Sequence, residues 1–514
     1  MGAGFGQQQI VEAAQLRRQA FEHQAAGRFE QAYELLRRRT HLTPRDAFAW
    51  ADLGGCLFAA RKSEHALLAW DEALKLEPDH ADLLGGKAGV LQSLGRTDQA
   101  RALYARALAI QPESFGAAFG LALLAVEAGD WDEAARLTAP LEARHQGHPG
   151  LAWMGARIAL GRGELEQAET RATALADDPR LGPEQRADTL LLQSEALDRL
   201  GRTGEAFSVA SSAKGLQRPL FAQRAASREG VVAKLERLNG WFAKAEAGDW
   251  ARRPAPPVPG EARAHAFIVG FPRSGTTLLE QALAGHPDVV ALEEPPTLAA
   301  PAAEFLGSPE GLARLAALPE AEAQQWRARY WADVRAIGAD PSGKLFLDKA
   351  PAETSSLPLI ARLFPGAKVL FAVRDPRDVV LSCFLSSFQM NALTYAFTDV
   401  GETAAAYAAC MGLAETYRRV LPLDLRETRH EALVEDLEGE LAAIAAFLGL
   451  EFHPAMLDIA ATARGRSVRT PSAPQVREGV TTTRLGRWRA YADELAPALP
   501  SLAPWIQRFG YPAS

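Results

Sequence analysis

The sequence predicts a fold of the α plus α/β kind. We expect an N-terminal superhelix of α-helical repeats, followed by an α/β domain with a central parallel sheet and a phosphate-binding type of loop. Two observations support this. Alanines recur every 34 residues through the first two-fifths of the chain, and the second half has a strand–glycine loop–helix pattern followed by a second buried-strand pattern. A chain of 514 residues also exceeds what one hydrophobic core usually holds, so two or three domains are expected.

The repeat period is carried by small residues at fixed positions. The recurring alanines are Ala32, Ala66, Ala100, Ala134 and Ala168, and Pro44, Pro78 and Pro112 share their interval. A glycine lies five residues before four of these alanines, and Arg61 takes the remaining slot. Each unit is therefore predicted to be two amphipathic helices joined by a tight turn, with the proline after the second helix. A sixth, looser copy follows at residues 201–206.

This pattern resembles the tetratricopeptide repeat, which has a 34-residue period. The array is predicted to cover residues 7–215. Stacked repeats form a superhelix with a concave face, so the resemblance implies a groove for a protein or peptide partner. An oligomerisation or scaffolding role is equally compatible. Residues 216–264 are predicted to be a helical cap and a semi-rigid linker, because 252–260 is rich in proline. The second domain is predicted to cover 265–514.

Composition excludes several classes of function. A net charge of −7 argues against a general nucleic-acid binder, which would carry a basic excess. Three cysteines do not predict a disulfide framework and fit a reducing compartment. No apolar run is long enough to span a bilayer, and the first residues lack the pattern of a signal peptide. We therefore expect a cytoplasmic protein that does not act at a membrane.

The loop at residues 270–275 is the principal candidate binding site. An apolar strand at 266–269 enters it, and a helix leaves it, so backbone N–H groups and the positive end of the helix dipole would converge on an anion. The residues predicted to hold that anion are Arg273, Ser274, Gly275, Thr276 and Thr277. The spacing is close to that of a nucleotide P-loop, but Thr276 occupies the lysine position. An ATPase or GTPase would need that lysine for the terminal phosphates.

The segment Pro272-Arg-Ser-Gly-Thr-Thr277 resembles the 5′-phosphosulfate loop of sulfotransferases, which use 3′-phosphoadenosine 5′-phosphosulfate (PAPS). The next motifs, around His286 and Glu293-Glu294, resemble those of tyrosylprotein sulfotransferases in order and spacing. That resemblance implies that Glu294 is the base which removes the acceptor's proton, with His286 as a rival. It also implies that Lys349, in the turn after a predicted strand, neutralises charge on the leaving phosphate.

A second motif extends from Phe364 to Ser382. Residues 369–373 form an apolar run typical of a buried parallel strand. This strand would deliver Arg374 to its carboxyl end, where open α/β sheets bind ligands. Pro376 is well placed to begin a helix that carries Ser382. In sulfotransferases such an Arg and Ser pair holds the 3′-phosphate of the donor, so the resemblance implies that role for Arg374 and Ser382.

Three C-terminal residues complete the predicted donor site. His430 stands where the sulfotransferase family often has a tyrosine that approaches the adenine. Ser472 and Arg487 lie in segments that resemble the cofactor-closing part of bacterial repeat-containing sulfotransferases. A basic loop with hydroxyl groups also suits a polyanionic ligand.

The chain is therefore identified as similar to the bacterial sulfotransferases that carry tetratricopeptide repeats. The implied reaction is sulfuryl transfer from PAPS to a hydroxyl of a protein tyrosine, a glycan or a small molecule, without a metal. Arg273 and Lys349 would stabilise the transfer, with Glu294 as base. Two alternatives stay open: a P-loop kinase or NTPase, and a repeat scaffold without activity. The sequence also leaves open whether the chain forms a homo-oligomer.

Overall fold

The computed structural model describes residues 2–226, 229–294, 296–464, 466, 472, 476–477 and 479–513. The chain divides into two compact units, residues 1–164 and residues 165–514. No helix within these described ranges is long and apolar enough to cross a membrane.

The described part of the first unit consists of consecutive helix pairs and one further helix, in agreement with the 34-residue period. Its helices are α1 (Gly2–Ala25), α2 (Phe29–Leu42), α3 (Ala47–Ala59), α4 (Ser63–Leu76), α5 (Ala81–Ser93), α6 (Thr97–Ile110), α7 (Phe115–Ala128), α8 (Trp131–Arg144) and α9 (Pro149–Gly161). The turn inside each pair needs a left-handed residue: Gly27, Gly95 and Gly129 have φ of 71–77°. Arg61 adopts the same conformation, with φ of 63°, at a cost that glycine avoids.

The small residues of the repeats make room for large aromatic side chains. A Cβ atom added at Gly86 would lie 2.2 Å from the Trp70 ring, and one at Gly120 would lie 2.3 Å from the Tyr104 ring. These rings are therefore packed between helices, where aromatic residues at helical spacing are most often found.

The second unit begins with four helices: α10 (Leu165–Ala176), α11 (Pro183–Arg199), α12 (Thr203–Ala226) and α13 (Val231–Phe242). Helices α11 and α12, joined by a left-handed turn at Gly201, correspond to the predicted sixth copy of the repeat, and α12 continues beyond residue 215, where the predicted array ends. The proline-rich segment at 252–260 lies on the surface of the second unit. Arg252 donates to the carbonyl of Pro422, and Arg253 donates to that of Leu318. These side-chain contacts, which composition does not reveal, hold the predicted linker in place.

The centre of the second unit is a five-stranded parallel sheet in the order β2-β3-β1-β4-β5. Its strands are β1 (Ala264–Gly270), β2 (Val289–Glu293), β3 (Leu345–Lys349), β4 (Lys368–Val373) and β5 (Asp424–Arg429). The three inner strands are almost fully buried, whereas β2 and β5 are partly exposed at the edges. The predicted fold class, repeats followed by an α/β domain with a central parallel sheet, is confirmed.

Helices cover both faces of this sheet, because alternate strand residues point to opposite sides. Phe267 and Val269 belong to one hydrophobic core, and Ala266 and Ile268 belong to the other. The α-helices described in this part of the second unit are α14 (Thr276–Ala284), α15 (Ala299–Phe305), α16 (Pro309–Ala316), α17 (Glu320–Ala336), α18 (Leu357–Leu363), α19 (Pro376–Leu385), α20 (Ala392–Ala396), α21 (Val400–Val420), α22 (His430–Glu435), α23 (Leu437–Leu448), α24 (Ile459–Arg464), α25 (Ala492–Leu495) and α26 (Leu499–Arg508).

Candidate functional site

The carboxyl edge of the sheet collects the residues that the motifs single out. Arg273 follows β1, Glu294 follows β2, Lys349 ends β3, Arg374 follows β4 and His430 follows β5. All neighbouring strands are parallel, so these positions share one edge. This is where open α/β sheets bind their ligands.

The loop after β1 depends on two glycines. A Cβ atom at Gly270 would lie 2.7 Å from the carbonyl oxygen of Ala372, and one at Gly275 would lie 2.5 Å from Nδ1 of His430. Any other residue would therefore force the Ala372 backbone or the His430 ring to shift, and Gly275 also has φ of 91°. Gly275 is the N-cap of α14 and brings no side chain of its own to that helix end. The loop backbone can therefore approach a ligand closely.

The predicted loop residues are enclosed by the fold. Ser274, Thr276 and Thr277 are all buried. Arg273 has φ of 70°, in the left-handed region that residues other than glycine seldom adopt. Strained backbone of this kind is concentrated at binding and catalytic sites, where the surrounding structure holds it in place.

Several arginines converge beside this loop. Arg273 donates from Nε to Oγ of Ser382 at 2.8 Å, and its guanidinium also donates to Oγ of Ser472. Arg374 donates to the backbone carbonyls of Arg273 at 3.3 Å and Arg484 at 3.0 Å. The structure thus brings together the predicted 3′-phosphate pair, the loop arginine and Ser472. Of the predicted segment at 469–477, only residues 472, 476 and 477 are described; the others lie outside the described residues.

We call Arg273, Arg374, Arg484 and Arg487 the arginine cluster. Burial lowers the pKa of Arg273 to about 10, and the positive charges of Arg374, Arg484 and Arg487 also lower it. Nε of Arg374 is buried without a hydrogen-bond partner among the described residues. A ligand with several negative charges would relieve the mutual repulsion of these guanidinium groups, which favours a phosphate- or sulfate-bearing molecule.

Asp378 anchors the C-terminal part of this cluster. It accepts hydrogen bonds from the backbone N–H groups of Gly486 and Trp488, each at 2.8 Å, and lies 3.6 Å from the Arg374 guanidinium. Burial raises the pKa of Asp378, although Arg374 opposes that shift. This carboxyl group therefore fixes the backbone on both sides of Arg487 beside α19.

The ring of His430 lies against Gly275 of the loop. Burial and, to a smaller extent, the positive charges of Arg374 and Arg273 lower the pKa of His430 to about 3. The imidazole is therefore neutral at physiological pH, and it offers a flat aromatic surface beside the loop instead of another positive charge.

A second charged group surrounds Lys349. Its Nζ lies 3.0 Å from Oε1 of Glu294, 3.3 Å from Oε1 of Glu293 and 3.7 Å from Oε2 of Glu280. Arg466 lies 3.2 Å from the other oxygen of Glu280. We call Lys349 and the three glutamates the lysine–carboxylate cluster. Lys349 and Glu280 are wholly buried, so these charges act through a medium of low polarity.

The pKa shifts in this cluster follow from burial and charge. Burial raises the pKa of Glu280, even though Lys349 and Arg466 favour its ionised form. Burial tends to lower the pKa of Lys349, but Glu280, Glu293 and Glu294 outweigh that effect and raise it. Lys349 is therefore a fixed cation at the carboxyl edge of the sheet.

Glu294 is the member of this cluster that reaches solvent. Half of its side chain is exposed, whereas only 11% of the Glu293 side chain is. Its backbone has φ of 51°, and its N–H donates to the carbonyl oxygen of Lys349 at 2.8 Å. This strained turn presents the carboxylate outward and beside the lysine, where an incoming hydroxyl could meet it.

His286 is placed differently. Its Nε2 is 3.0 Å from the carbonyl oxygen of Glu451, and its Nδ1 accepts the backbone N–H of Asp288 at 3.0 Å. Both ring nitrogens are thus used by the backbone, and the side chain is buried. This arrangement favours a structural role over that of the rival base.

The sequence motifs did not identify several residues that the structure places in or beside these two clusters. Arg484 lies directly before the segment that predicts Arg487, and Asp378 lies within the motif that predicts Arg374 and Ser382. Glu280 is the middle residue of α14. In the sequence it has the pattern of an ordinary polar position of a helix. No group of three or more His, Cys, Asp or Glu side chains in the described part of the chain is arranged to hold a metal ion.

Comparison with known proteins gives matches in both units. Residues 266–454 match the sulfotransferase family, and residues 66–121 and 91–154 match the tetratricopeptide repeat. Over 261 residues, or 48% of the chain, it is 27% identical to an uncharacterized protein of Aquifex aeolicus and spans 33% of that protein. Over 262 residues, again 48% of the chain, it is 27% identical to protein-tyrosine sulfotransferase 2 of Gallus gallus and spans 68% of it. The sulfotransferase domain from the Synechococcus PCC 7002 olefin synthase superposes with a TM-score of 0.37 at 26% identity, covering 51% of this chain and 100% of that domain.

Proposed function

We propose that this chain, which joins tetratricopeptide repeats to a domain of the sulfotransferase family, transfers a sulfuryl group from PAPS to the hydroxyl of an acceptor. The observation that carries the proposal is the arginine cluster beside the loop, with Arg374 and Ser382 both in contact with Arg273. A nucleoside triphosphate would be met by a loop lysine, whereas this loop has Thr276 at that position.

The residues of the site fit a donor that carries a phosphate at the 3′ position of its ribose and a phosphosulfate at the 5′ position. Arg374 and Ser382 would hold the 3′-phosphate, aided by Arg273 and Arg487. The loop backbone from Gly275 would receive the 5′ end at the start of α14, where N–H groups point outward. The buried Nε of Arg374 is a donor that such an anion would satisfy.

The lysine–carboxylate cluster supplies the groups for the transfer. PAPS provides the sulfuryl group, whose bond to the 5′-phosphate oxygen breaks as a bond to the acceptor oxygen forms. Glu294 takes the proton of the acceptor hydroxyl, because it is the carboxylate exposed at the sheet edge. Lys349 neutralises the negative charge that develops on the phosphate oxygen. The sulfuryl group carries less charge than a γ-phosphate, so this scheme requires no metal.

The acceptor is proposed to be a hydroxyl of a protein or a glycan. The relatives named protein-tyrosine sulfotransferases favour a tyrosine side chain in a protein. The repeats of the first unit would bind the acceptor or a partner protein, as stacked helix pairs commonly do.

Transfer of labelled sulfate from PAPS tests this proposal, with tyrosine-containing peptides, oligosaccharides and phenols as acceptors. Glu294→Gln should lower the turnover by about 10²–10⁴-fold while 3′-phosphoadenosine 5′-phosphate still binds. Glu293→Gln is the matched control: it removes the neighbouring, mostly buried carboxylate and should retain more activity. Equal activity of the two variants would contradict the assignment of Glu294, and transfer of phosphate from ATP would contradict the sulfuryl-transfer proposal.

A further inference from the structure

The last repeat helices share a hydrophobic core with the α/β domain. Ala187 and Leu191 of α11 and Ala210 and Ala213 of α12 belong to the same buried cluster as Phe371 of the central sheet. All of these residues lie in the second unit. The helix pair α11–α12 is therefore part of the structure that carries the candidate donor site.

One carboxylate of this helix pair contacts the arginine cluster. Oδ1 of Asp198, near the end of α11, accepts hydrogen bonds from Nε of Arg487 at 3.0 Å and from the hydroxyl of Tyr491 at 2.6 Å. The side chains of Asp198 and Arg487 are only 13% and 23% exposed. Burial opposes the charge on Arg487, but Asp198 outweighs that effect and raises its pKa.

The position of Asp198 is unfavourable for α11 alone. A negative charge in the last turn of a helix meets the negative end of the helix dipole. The positive charge of Arg487, which lies much later in the sequence, offsets this unfavourable interaction of Asp198 with the helix dipole. Arg487 also acts on the loop, since its charge helps to lower the pKa of Arg273. Asp198 is thus connected to the arginine cluster through Arg487.

The same helix pair holds the far end of α19, the helix that carries Ser382. The ammonium of Lys214, in α12, donates to the carbonyl oxygen of Ser386 at 2.8 Å, and the hydroxyl of Ser387 donates to Asp188 of α11 at 3.5 Å. Lys214 is 3% exposed. A buried cation at the last carbonyls of a helix stabilises that helix end.

We propose that α11–α12 is a positioning element of the donor site, in which Asp198 orients Arg487 for the bound anion. The inference rests on the proposed function and adds to it a role for the last repeat. Asp198 does not touch the donor. It restricts the Arg487 guanidinium to one direction, so that less conformational freedom is lost when the anion binds. Simple packing of the helix pair would require no charge at this position.

Titration calorimetry with 3′-phosphoadenosine 5′-phosphate tests this on the full chain. Asp198→Asn keeps the shape of the side chain and its acceptor for Tyr491 but removes the charge that holds Arg487. We expect about tenfold weaker binding, with partial recovery in Asp198→Glu. Glu205→Gln is the control. Glu205 of α12 forms an exposed ion pair with Arg202, which lies just before that helix, and its loss should leave the affinity unchanged.

A second pair of variants separates positioning from a general effect on the fold. In the Arg487→Ala background, Asp198→Asn should change the affinity for the bisphosphate by less than about twofold, since the effects of two substitutions that act through one contact are not additive. A tenfold loss that persists in this background would overturn the proposal, as would Asp198→Asn binding as tightly as the wild type. If the wild type itself fails to bind the bisphosphate, the proposed function fails, and this inference fails with it. If the wild type binds the bisphosphate and Asp198→Asn binds it equally well, only the positioning role is refuted.

Discussion

Replacing Lys349 with methionine should destabilise the second unit by an amount that depends on pH. The ammonium of Lys349 lies within 3.0–3.7 Å of three carboxylates, and both it and Glu280 are fully buried. Methionine fills similar space but leaves Glu280 with Arg466 as its cationic neighbour. Removing one member of a buried ion pair costs about 3–5 kcal/mol, because the remaining charge is left without compensation.

The direction in which the stability of this variant changes with pH follows from the protonation of Glu280. Burial already raises the pKa of this group, and the loss of Lys349 raises it further. The folded variant then keeps a proton that the unfolded chain releases above its ordinary pKa of about 4.3. Between that value and the raised folded pKa, stability falls by about 1.4 kcal/mol for each unit of rising pH. The destabilisation should therefore be smaller near pH 5 and larger near pH 8.

Scanning calorimetry near pH 5 and near pH 8 measures this effect on the unfolding transition of the second unit. The double variant Lys349→Met/Glu280→Gln should recover most of the lost stability at the higher pH, since its buried carboxylate is gone. Lys344→Met, at a partly exposed lysine just before β3, should change stability by less than about 0.5 kcal/mol. Unchanged stability of Lys349→Met at both pH values, or a further loss on adding Glu280→Gln, would refute the reasoning.

Three further outcomes are expected. Gly275→Ala should weaken binding of 3′-phosphoadenosine 5′-phosphate at least about tenfold in calorimetry, because its Cβ would lie 2.5 Å from Nδ1 of His430; unchanged binding would show that the loop can move. The affinities of His430→Gln and the wild type for 3′-phosphoadenosine 5′-phosphate should keep a constant ratio from about pH 5 to pH 8, since the pKa of His430 is lowered to about 3. A ratio that changes near pH 6 would show that this histidine titrates. Asp378→Asn should lower the unfolding free energy by about 1–3 kcal/mol in urea titration, because one of its two backbone N–H partners loses its acceptor; wild-type stability would contradict that anchoring role.

The repeats and the sheet edge could be predicted because their signals are local. A left-handed turn in each repeat favours glycine at a fixed position, which only Arg61 replaces among the five predicted repeats, so the period is visible in the sequence. Parallel strands bring their carboxyl ends to one edge, which places Arg273, Lys349 and Arg374 there without knowledge of the packing. Their roles in catalysis or donor binding remain predictions.

The partners of these residues could not be predicted, because tertiary packing alone brings them together. Asp378 holds the backbone of Trp488 across 110 residues of sequence, and Asp198 meets Arg487 across 289 residues. Glu280 looks like a polar helix position until burial places it beside Lys349. The segment at 252–260 has the composition of a linker, and only its side-chain contacts show that it lies on the second unit.

Calorimetric titration of the full chain with 3′-phosphoadenosine 5′-phosphate, with ATP and ADP as controls, tests the central claim most directly. It needs no knowledge of the acceptor, and Arg374→Ala provides the matched variant. The proposed function predicts tight binding of the bisphosphate, much weaker binding of ATP and ADP, and loss of bisphosphate binding in Arg374→Ala. Equal or tighter binding of ATP would contradict it and favour a P-loop kinase or NTPase, whereas no binding of any of the three would favour a repeat scaffold without activity.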